Sequence, residues 1–302
     1  MMRLLVVLSI LFMSSLLAFE YKLQAKKVSS NIYCFFGEPQ AINSKNNGNM
    51  VNSCFVEIGN HYLVIDSGPT YNYAKEAHSL IKKIKNLPVA YVINTHVHDD
   101  HWLGNSYYKK LGIDIIGSKK FQEEGKLETT RMQRMVLPEA YENTTQEFPN
   151  IFVDQEKKLK IDNQEIFIYS VNQKAHTKSD LLIYIPKLKA IFVGDVVFND
   201  RVPSLRDGDI NRWIETLQSI QEGNYKYIIG GHGSLINKHS IDFTYNYLVE
   251  LKQKVLEAIE DGIDIEDATT SILMPEYKNV HMYDVLHKQN VETAYRTLEW
   301  EQ

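Results

Sequence analysis

The chain has 302 residues, of which 44% are hydrophobic, and its formal net charge is -5, so it can bury a sizeable core. The acidic balance argues against a nucleic-acid-binding surface, because such surfaces depend on positive charge. After the first 18 residues, no apolar run is long enough to cross a bilayer. The length suits one large domain or two modest ones.

The first 18 residues differ from the rest of the chain. Arg3 is followed by an almost uninterrupted apolar stretch at residues 4–17 and then by the small residue Ala18. This order is typical of a secretory signal peptide. We therefore predict a signal peptide at residues 1–18 and export to a periplasm. An uncleaved membrane anchor is the alternative, although the stretch is short for a membrane span.

The two cysteines, Cys34 and Cys54, lie in two predicted neighbouring strands. An exported protein could join them in a disulfide, because oxidising compartments preserve such bonds. Two buried free thiols are the alternative, and the sequence does not distinguish between them.

The first half of the chain predicts strands, a long loop and a helix. Residues 31–36 have the aromatic and β-branched character of a strand. Residues 37–50 are rich in Asn, Ser and Gly, and we interpret them as a flap over a site. A strand hairpin follows and ends at Asp66. Apolar residues at helical spacing predict a helix at residues 73–85, before an apolar strand at residues 90–93.

The second half repeats this alternation of strands and helices. Residues 118–150 are predicted as helix and loop beside the site, and the chain after residue 262 is predicted to be helical with a loop near Pro275. Two similar runs of strands and helices favour two packed sheets with helices outside, rather than one doubly wound sheet. Further strands are predicted at residues 113–117, 159–161, 166–171, 181–185, 190–193 and 225–229, and helices at residues 210–222 and 241–261.

A dense group of metal-binding residue types follows the strand at residues 90–93. The spacing H-x-H-x-D-H begins at His96, and His and Asp supply the nitrogen and oxygen atoms that zinc and similar ions accept. In an extended chain His96 and His98 point the same way. Asp100 and His101 then face a neighbouring point, which suggests two ions a few ångströms apart. A histidine-rich surface loop is the alternative.

Further donors follow near the ends of later strands, which weakens that alternative. Two ions that share a water lower its pKa to about 7 and so supply hydroxide at neutral pH. Asp100 and Asp195 are the predicted catalytic residues, and Asp100 is expected to orient the nucleophile and relay its proton. The seven predicted metal ligands fall into three sets: His96, His98 and His176 for one ion, Asp100, His101 and His232 for the second, and Asp195 as a bridge.

The order of these motifs resembles the metallo-β-lactamase (MBL) fold superfamily. His176 stands in an A-H-T context, Asp195 follows an apolar strand and His232 stands in G-H-G. The resemblance spans roughly residues 31–233 and implies an α/β fold, a four-layer αβ/βα sandwich with the site at one edge of its sheets. It also implies that Asp66 orients a metal ligand.

The resemblance also divides the chain. It implies an MBL-like domain at residues 19–238 and a C-terminal helical extension at residues 239–302 that packs on the same domain.

A narrower resemblance connects this chain with the SoxH-like and quinoprotein relay system zinc metallohydrolases. These are exported bacterial proteins encoded near sulfur-oxidation or quinoprotein systems. The resemblance implies a small-molecule substrate, possible partners in such pathways, no nucleic acid, and no stable membrane insertion after signal cleavage. It rests on the asparagine-rich loop and on residues 36–38, 94–98, 197–203, 207–209 and 287–291.

The expected function is an exported, dinuclear zinc-dependent hydrolase whose metal-bridging hydroxide attacks an ester, thioester or amide carbonyl. Class B β-lactamases of this fold carry Cys or Ser where Asp195 stands, so β-lactam cleavage is expected at most as a side reaction. One alternative is an oxidoreductase resembling persulfide dioxygenases, with one Fe²⁺ in place of two Zn²⁺. Another is a non-catalytic binding partner in a sulfur or quinoprotein pathway.

Several residues have weaker assignments. Trp102 is interpreted either as a wall of the substrate pocket or as core. Arg201 and Arg206 could meet an anionic substrate, although surface ion pairs are the favoured interpretation. His287 is not expected to be a ligand. Four other histidines are interpreted as surface or capping residues: His61, His78, His239 and His281.

Overall fold

The computed structural model describes residues 19–125, 128–171 and 174–300, so the predicted signal peptide at residues 1–18 lies outside the described residues. Within those ranges, no helix combines the length and the apolar character that a membrane span needs.

The described strands and helices follow the predicted alternation. The strands are β1 (Lys26–Lys27), β2 (Ile32–Phe35), β3 (Ser53–Ile58), β4 (His61–Ile65), β5 (Val89–Ile93), β6 (Ile115–Ser118), β7 (Ile151–Val153), β8 (Glu156–Ile161), β9 (Gln164–Ser170), β10 (Leu181–Ile185), β11 (Ala190–Phe198) and β12 (Tyr227–His232). The helices are α1 (Tyr71–Ile84), α2 (Asp99–Trp102), α3 (Asn105–Lys110), α4 (Phe121–Glu124), α5 (Arg131–Met135), α6 (Pro138–Tyr141), α7 (Ile210–Gln221), α8 (Ser240–Glu260), α9 (Ile265–Ser271) and α10 (Tyr283–Glu299).

The strands form two sheets. In the first sheet, β1 to β7 lie side by side in chain order, antiparallel up to β4 and parallel from β4 to β7. The second sheet has the order β12-β11-β10-β9-β8, and only β11 and β12 run parallel. Parallel pairing brings the carboxyl ends of β4 and β5 together in one sheet and those of β11 and β12 together in the other.

The sheets pack face to face through one apolar cluster. Val56 and Leu63 of the first sheet and Ile168 and Ile183 of the second sheet belong to it, and all four side chains are buried. Successive side chains of a strand point to opposite faces, so each strand can contribute to this core and also contact the helix layer outside.

Helices cover the outer face of each sheet. On the first sheet, α1 packs Tyr73, Ala77 and Ile81 against residues such as Val64, and the Thr70 hydroxyl caps the helix by accepting from the Tyr73 amide. On the second sheet, α7, α8, α9 and α10 form the cover. The predicted four-layer sandwich with a C-terminal helical part is confirmed.

The C-terminal helices share a core with the second sheet. On α10, Asn290 donates from Nδ2 to the Pro203 carbonyl and accepts from the Leu205 amide, so it holds the loop after β11. His287 lies deeper in this layer, bonded to Tyr247 and the Ile272 carbonyl, as expected for a histidine that is not a ligand.

The sequence did not decide whether the two cysteines form a disulfide, and in the structure they do. Cys34 and Cys54 face each other across β2 and β3, and their side chains lie in the core between the sheets. The bond ties the second strand of the chain to the third beside the asparagine-rich loop.

His78 is not the surface residue predicted from the sequence. It lies on the inner face of α1, buried against the ring of Phe55, and its Nδ1 is 3.0 Å from the Tyr107 hydroxyl. The sequence prediction was wrong because His78 occupies an inward-facing position of the helix, one residue after Ala77.

Candidate metal centre

The seven predicted ligands meet at one edge of the two sheets. They form two adjacent groups, and in each group one potential ligand atom per residue lies within 4.8 Å of the others. All of these side chains are buried except that of His98, which is partly buried. The groups are His96, His98, His176 and Asp195, and Asp100, His101 and His232.

The turn after β5 explains why one short segment supplies both groups. His98 has extended backbone angles, and the chain then enters α2, which carries Asp100 and His101. Trp102 donates from Nε1 to the Val97 carbonyl at 2.7 Å and is fully buried among aromatic rings. Trp102 is therefore core, and it fixes the turn rather than lining the pocket.

Asp195 reaches the centre through an irregularity inside β11. The sequence predicted the end of this strand near residue 193, but β11 continues to Phe198, and its pairing with β12 shifts on both sides of Gly194. Gly194 has φ +48°, a conformation that a residue without a Cβ adopts readily. Opposite it, a Cβ at Gly231 would collide with the Asp195 carboxylate. Gly231 therefore makes room for Asp195, and Gly194 makes room for Thr95.

Asp195 lies between the two groups. Its Oδ2 is 3.6 Å from Nε2 of His96 and 3.4 Å from Nε2 of His176. The same oxygen is 3.3 Å from Nε2 of His232, and Oδ1 is 3.2 Å from Nε2 of His101. This is the position that a bridging carboxylate requires.

Asp66 orients the buried histidine of the second group. Its Oδ2 is 2.8 Å from Nδ1 of His101, while its two oxygens accept from the amide and the hydroxyl of Thr95. Carboxylates that hold the far nitrogen of a metal-binding histidine fix its ring and its tautomer. Asp66 therefore occupies the orienting position that the resemblance implied.

Other histidines are also held through the nitrogen that faces away from the centre. Nε2 of His98 is 3.0 Å from Oδ2 of Asp207, and Nδ1 of His232 is 2.5 Å from the Met50 carbonyl. The Met50 contact places the end of the predicted flap directly against a candidate ligand. Each ring therefore presents its remaining nitrogen to the centre.

Burial and neighbouring charge set the protonation of the donors. Burial lowers the pKa of His96 well below its usual value, and burial together with His98 lowers the pKa of His176 to about 3. Burial alone would raise the pKa of Asp195, but His232 and His101 hold it well below its usual range. Two neutral imidazoles and a carboxylate are the forms that bind metal ions.

The residues fit a bound cation. Nε2 of His96, Nε2 of His101 and Oδ1 of Asp195 are buried and make no well-aligned hydrogen bond among the described residues, although the last two atoms lie 3.2 Å apart. Unsatisfied buried polar atoms are costly, and three of them aimed at one place call for a ligand. Nitrogen and carboxylate donors suit zinc and other divalent transition metals.

One known family matches this chain over the part that carries the site. The match spans residues 46–232 and is described as the metallo-beta-lactamase superfamily. The chain belongs to this superfamily. The matched range contains all seven candidate ligands and both strand pairs that position them.

The individual proteins that this chain resembles have low sequence identity to it. A protein named metallo-beta-lactamase type 2 from Elizabethkingia meningoseptica is 24% identical over 208 residues, covering 67% of this chain and 77% of that protein. A solved structure, a metallo-beta-lactamase from Pontibacter korlensis, superposes with a TM-score of 0.60 at 20% identity, covering 76% of this chain and 99% of that one. The structural likeness supports the fold.

This member of the superfamily also contains an ion-pair network that the sequence analysis missed. Nη2 of Arg131 donates to Oδ1 of Asp100 at 2.8 Å, and the same guanidinium pairs with Asp99. Burial raises the pKa of Asp100, but His101 and Arg131 outweigh it and keep the carboxylate ionised. No sequence pattern connects Arg131 with residues 31 and 32 positions earlier.

Asp180 is a second residue that the sequence analysis missed. It accepts from the amides of His176 and Thr177 and from the Thr177 hydroxyl, so it shapes the loop that presents His176. The segment H-T-K-S-D contained a usable signal, because Asp and Thr close such turns by bonding to nearby backbone groups.

The two arginines after β11 have different environments. Arg206 pairs with Asp207, and its Nη2 is 3.3 Å from Nε2 of His98. Arg201 is 4% exposed, and burial lowers its pKa. The prediction of a surface ion pair is therefore wrong for Arg201, because the chain turns inward at the end of β11 and carries this side chain towards the centre.

A cavity of about 170 Å³ opens onto the candidate metal centre. The asparagine-rich loop contributes one wall through Ile42 and Met50, and the start of α10 contributes another through Val285 and Leu286. The predicted flap therefore does border the site. It is fastened by hydrogen bonds, including one from the Leu137 amide to Oδ1 of Asn47.

Proposed function

We propose that this protein is a zinc-dependent hydrolase that uses two ions to cleave an ester, thioester or amide. The observation that carries the proposal is the position of Asp195, whose two oxygens lie between the two groups of candidate ligands. A carboxylate in this position can serve two ions at once, and a two-ion site suits hydrolysis.

Zinc bound there would supply Lewis acidity and lower the pKa of a water molecule. The chain itself contributes preorganisation. Arg131 holds Oδ1 of Asp100, so Oδ2 stays directed at His101 and His232, at 3.8 and 3.6 Å. We assign Asp100 the role of orienting the attacking water and accepting its proton.

The cavity gives a substrate access to the candidate metal centre, where Asp195 is among the lining residues. The relative from Elizabethkingia meningoseptica is named a metallo-beta-lactamase. We propose β-lactam cleavage only as a side reaction here, because this chain has Asp195 where class B enzymes of the fold are expected to carry Cys or Ser.

We further propose the narrower relationship to SoxH-like and quinoprotein relay system metallohydrolases, with export to a periplasm. The support is the sequence resemblance at residues 36–38, 94–98, 197–203, 207–209 and 287–291, and the apolar stretch at residues 4–17. Partners in a sulfur-oxidation or quinoprotein pathway belong to the same proposal.

Metal content tests the central proposal. Elemental analysis of the purified protein should find about two zinc ions per chain, and Asp195→Ala should lose at least one of them. The variant should also lose at least about 100-fold in kcat/KM for 4-nitrophenyl acetate, because a metal ligand acts directly on the reaction.

Asp154→Ala is the matched control, because this carboxylate is exposed and pairs only with Lys119 in the described structure. It should keep both ions and full activity. One iron per chain that survives Asp195→Ala would instead overturn the two-zinc hydrolase and favour the persulfide-oxidising alternative, which oxygen consumption with a persulfide would then measure.

A further inference from the structure

Arg201 in the wall of the central cavity has a guanidinium group without a direct carboxylate partner among the described residues. Its Nε and Nη1 are buried and have no hydrogen-bond partner among the described residues. It also forms no ion pair within 4.0 Å with a described carboxylate. Buried N–H groups without partners are costly to a folded protein, and a bound anion would complete their hydrogen bonds.

The guanidinium is close to the candidate metal centre. Cζ of Arg201 lies 5.7 Å from the centre of the Phe198 ring. That ring stacks on His232 at 5.0 Å and meets the ring of His176 at 5.6 Å. Arg201 is therefore one aromatic ring away from a candidate ligand of each group, and it lines the same cavity as Asp195.

The other arginines of this cavity are already engaged. Arg131 pairs with Asp99 and Asp100, and Arg206 pairs with Asp207. Among the described arginines that line this cavity, Arg201 is thus the one without a carboxylate partner. An arginine offers several N–H groups in a fixed plane, which suits a carboxylate, sulfonate or phosphate group.

Apolar side chains also line the cavity. Ile42 and Met50 come from the asparagine-rich loop, and Met282, Val285 and Leu286 come from the start of α10. The cavity therefore offers one cationic side, one metal-binding side and a short apolar surface. We propose that Arg201 binds an anionic group of the substrate, and that the enzyme acts on small anionic esters, thioesters or amides with a short alkyl part.

The backbone around Arg201 is fixed in advance. Arg201 forms an isolated β-bridge with His281, and the Val202 amide donates to the His281 carbonyl at 2.9 Å. Asn290 bonds the Pro203 carbonyl and the Leu205 amide. An anion site held in this way loses little conformational entropy on binding.

This inference rests on the hydrolase proposed above, so its test has two readouts. The first is turnover of two ester probes by the zinc-loaded protein, neutral 4-nitrophenyl acetate and anionic mono-4-nitrophenyl succinate. The wild type should prefer the anionic ester in kcat/KM. Arg201→Gln should lower the anionic-to-neutral ratio at least about tenfold, because a charge-assisted hydrogen bond is lost.

The second readout is binding without turnover. Butane-1-sulfonate carries an anionic group that is a weak metal ligand and an alkyl chain for the apolar walls. Calorimetry should show binding to the wild type that weakens at least about tenfold in Arg201→Gln. Arg201→Lys keeps the charge and should lie between the two. Arg296→Gln, at an exposed ion pair on α10, is the control and should match the wild type in both readouts.

The outcomes separate the two proposals. A wild type that binds the sulfonate through Arg201 but cleaves neither ester would contradict the hydrolase and leave the anion site standing. Equal loss for both esters in Arg201→Gln, with unchanged sulfonate binding, would overturn the anion site while the hydrolase stands. A variant that does not fold is replaced by Arg201→Lys, whose anionic-to-neutral ratio must still fall.

Discussion

The two sheets contribute to the candidate metal centre in different ways. The first sheet supplies four donors from one segment of six residues, shaped by a local turn and held by Asp66. The second sheet supplies three donors that lie far apart in the chain, His176, Asp195 and His232. Their meeting depends on close backbone packing, with Gly194 and Gly231 in contact with neighbouring side chains.

The two sets of donors should therefore respond to different kinds of substitution. The donors of the first sheet depend on side-chain hydrogen bonds, which a substitution can remove without moving the backbone. The donors of the second sheet depend on space, and a single added methyl group displaces them. Two substitutions, each with a control, test this comparison, and a third prediction compares the two helix layers.

The largest effect is expected from Gly231→Ala. The new Cβ would collide with the Asp195 carboxylate and lie 2.9 Å from Cε1 of His101, so both groups of ligands must shift. We expect loss of bound zinc, a fall in kcat/KM of at least about 100-fold, and a loss of about 2 kcal/mol in unfolding free energy from overpacking. Elemental analysis, kinetics and denaturant unfolding measure these.

Gly262→Ala is the control for this substitution. No described atom lies within 4 Å of the place that its new Cβ would take, although its φ of +72° will cost about 1 kcal/mol. It should keep its zinc and its activity. Equal zinc binding by both alanine variants would show that the donors of the second sheet do not depend on this close approach.

A smaller effect is expected from Asp66→Asn on the first sheet. The amide has one acceptor oxygen and one NH2 group, so it cannot accept from the Thr95 amide at one end and from His101 and the Thr95 hydroxyl at the other. We expect zinc affinity to fall about 10- to 100-fold with little loss of backbone structure. Competition with a chelator measures the affinity.

The matched control is Asp162→Asn, which alters an equivalent Asp–His pair with His61 on the surface. Its zinc affinity should equal that of the wild type. If Asp66→Asn also binds zinc as tightly as the wild type, Asp66 shapes the turn without orienting His101.

The smallest effect concerns the helix layers, each of which buries one histidine. Burial lowers the pKa of His78 on α1 to about 4, and its Nε2 has no partner among the described residues. As the pH falls from about 6.5 to about 4, the unfolded chain takes up a proton that folded His78 does not. Unfolding free energy should therefore fall by about 2 kcal/mol over this range.

Other groups titrate in the same range, so the difference between wild type and His78→Gln isolates this contribution. Burial also lowers the pKa of His287 on α10, but its Nε2 already donates to the Ile272 carbonyl, which opposes that shift. His287→Gln should therefore change the pH profile less. A larger change for His287→Gln than for His78→Gln would reverse this ranking.

Local patterns explain which parts of the fold were predictable. The spacing of apolar residues predicted α1 and α7 within two residues of their ends, because each presents one apolar face to a sheet. The extension of β11 to Phe198 was missed, because it depends on the left-handed Gly194 and a shift in pairing with β12. Neither feature changes the spacing of apolar residues along the sequence, so that spacing does not reveal it.

The candidate site, like the fold, has a part that the sequence predicts and a part that it does not. The candidate donors could be picked out because the spacing H-x-H-x-D-H, followed by His and Asp near later strand ends, is typical of metal sites. Their outer partners could not be predicted, because Asp207 meets His98 and Arg131 meets Asp100 only in the folded chain. The burial of Arg201 likewise depends on where α10 holds the loop after β11.

The packing of α10 has a consequence for how such a protein can diversify. The helix supplies apolar side chains to the cavity and, through Asn290, fixes the loop that bears Arg201. None of the seven candidate ligands lies on it. The residues proposed to contact the substrate and the candidate metal ligands thus lie on separate segments of the chain. The first set can therefore vary between relatives while the second set stays the same.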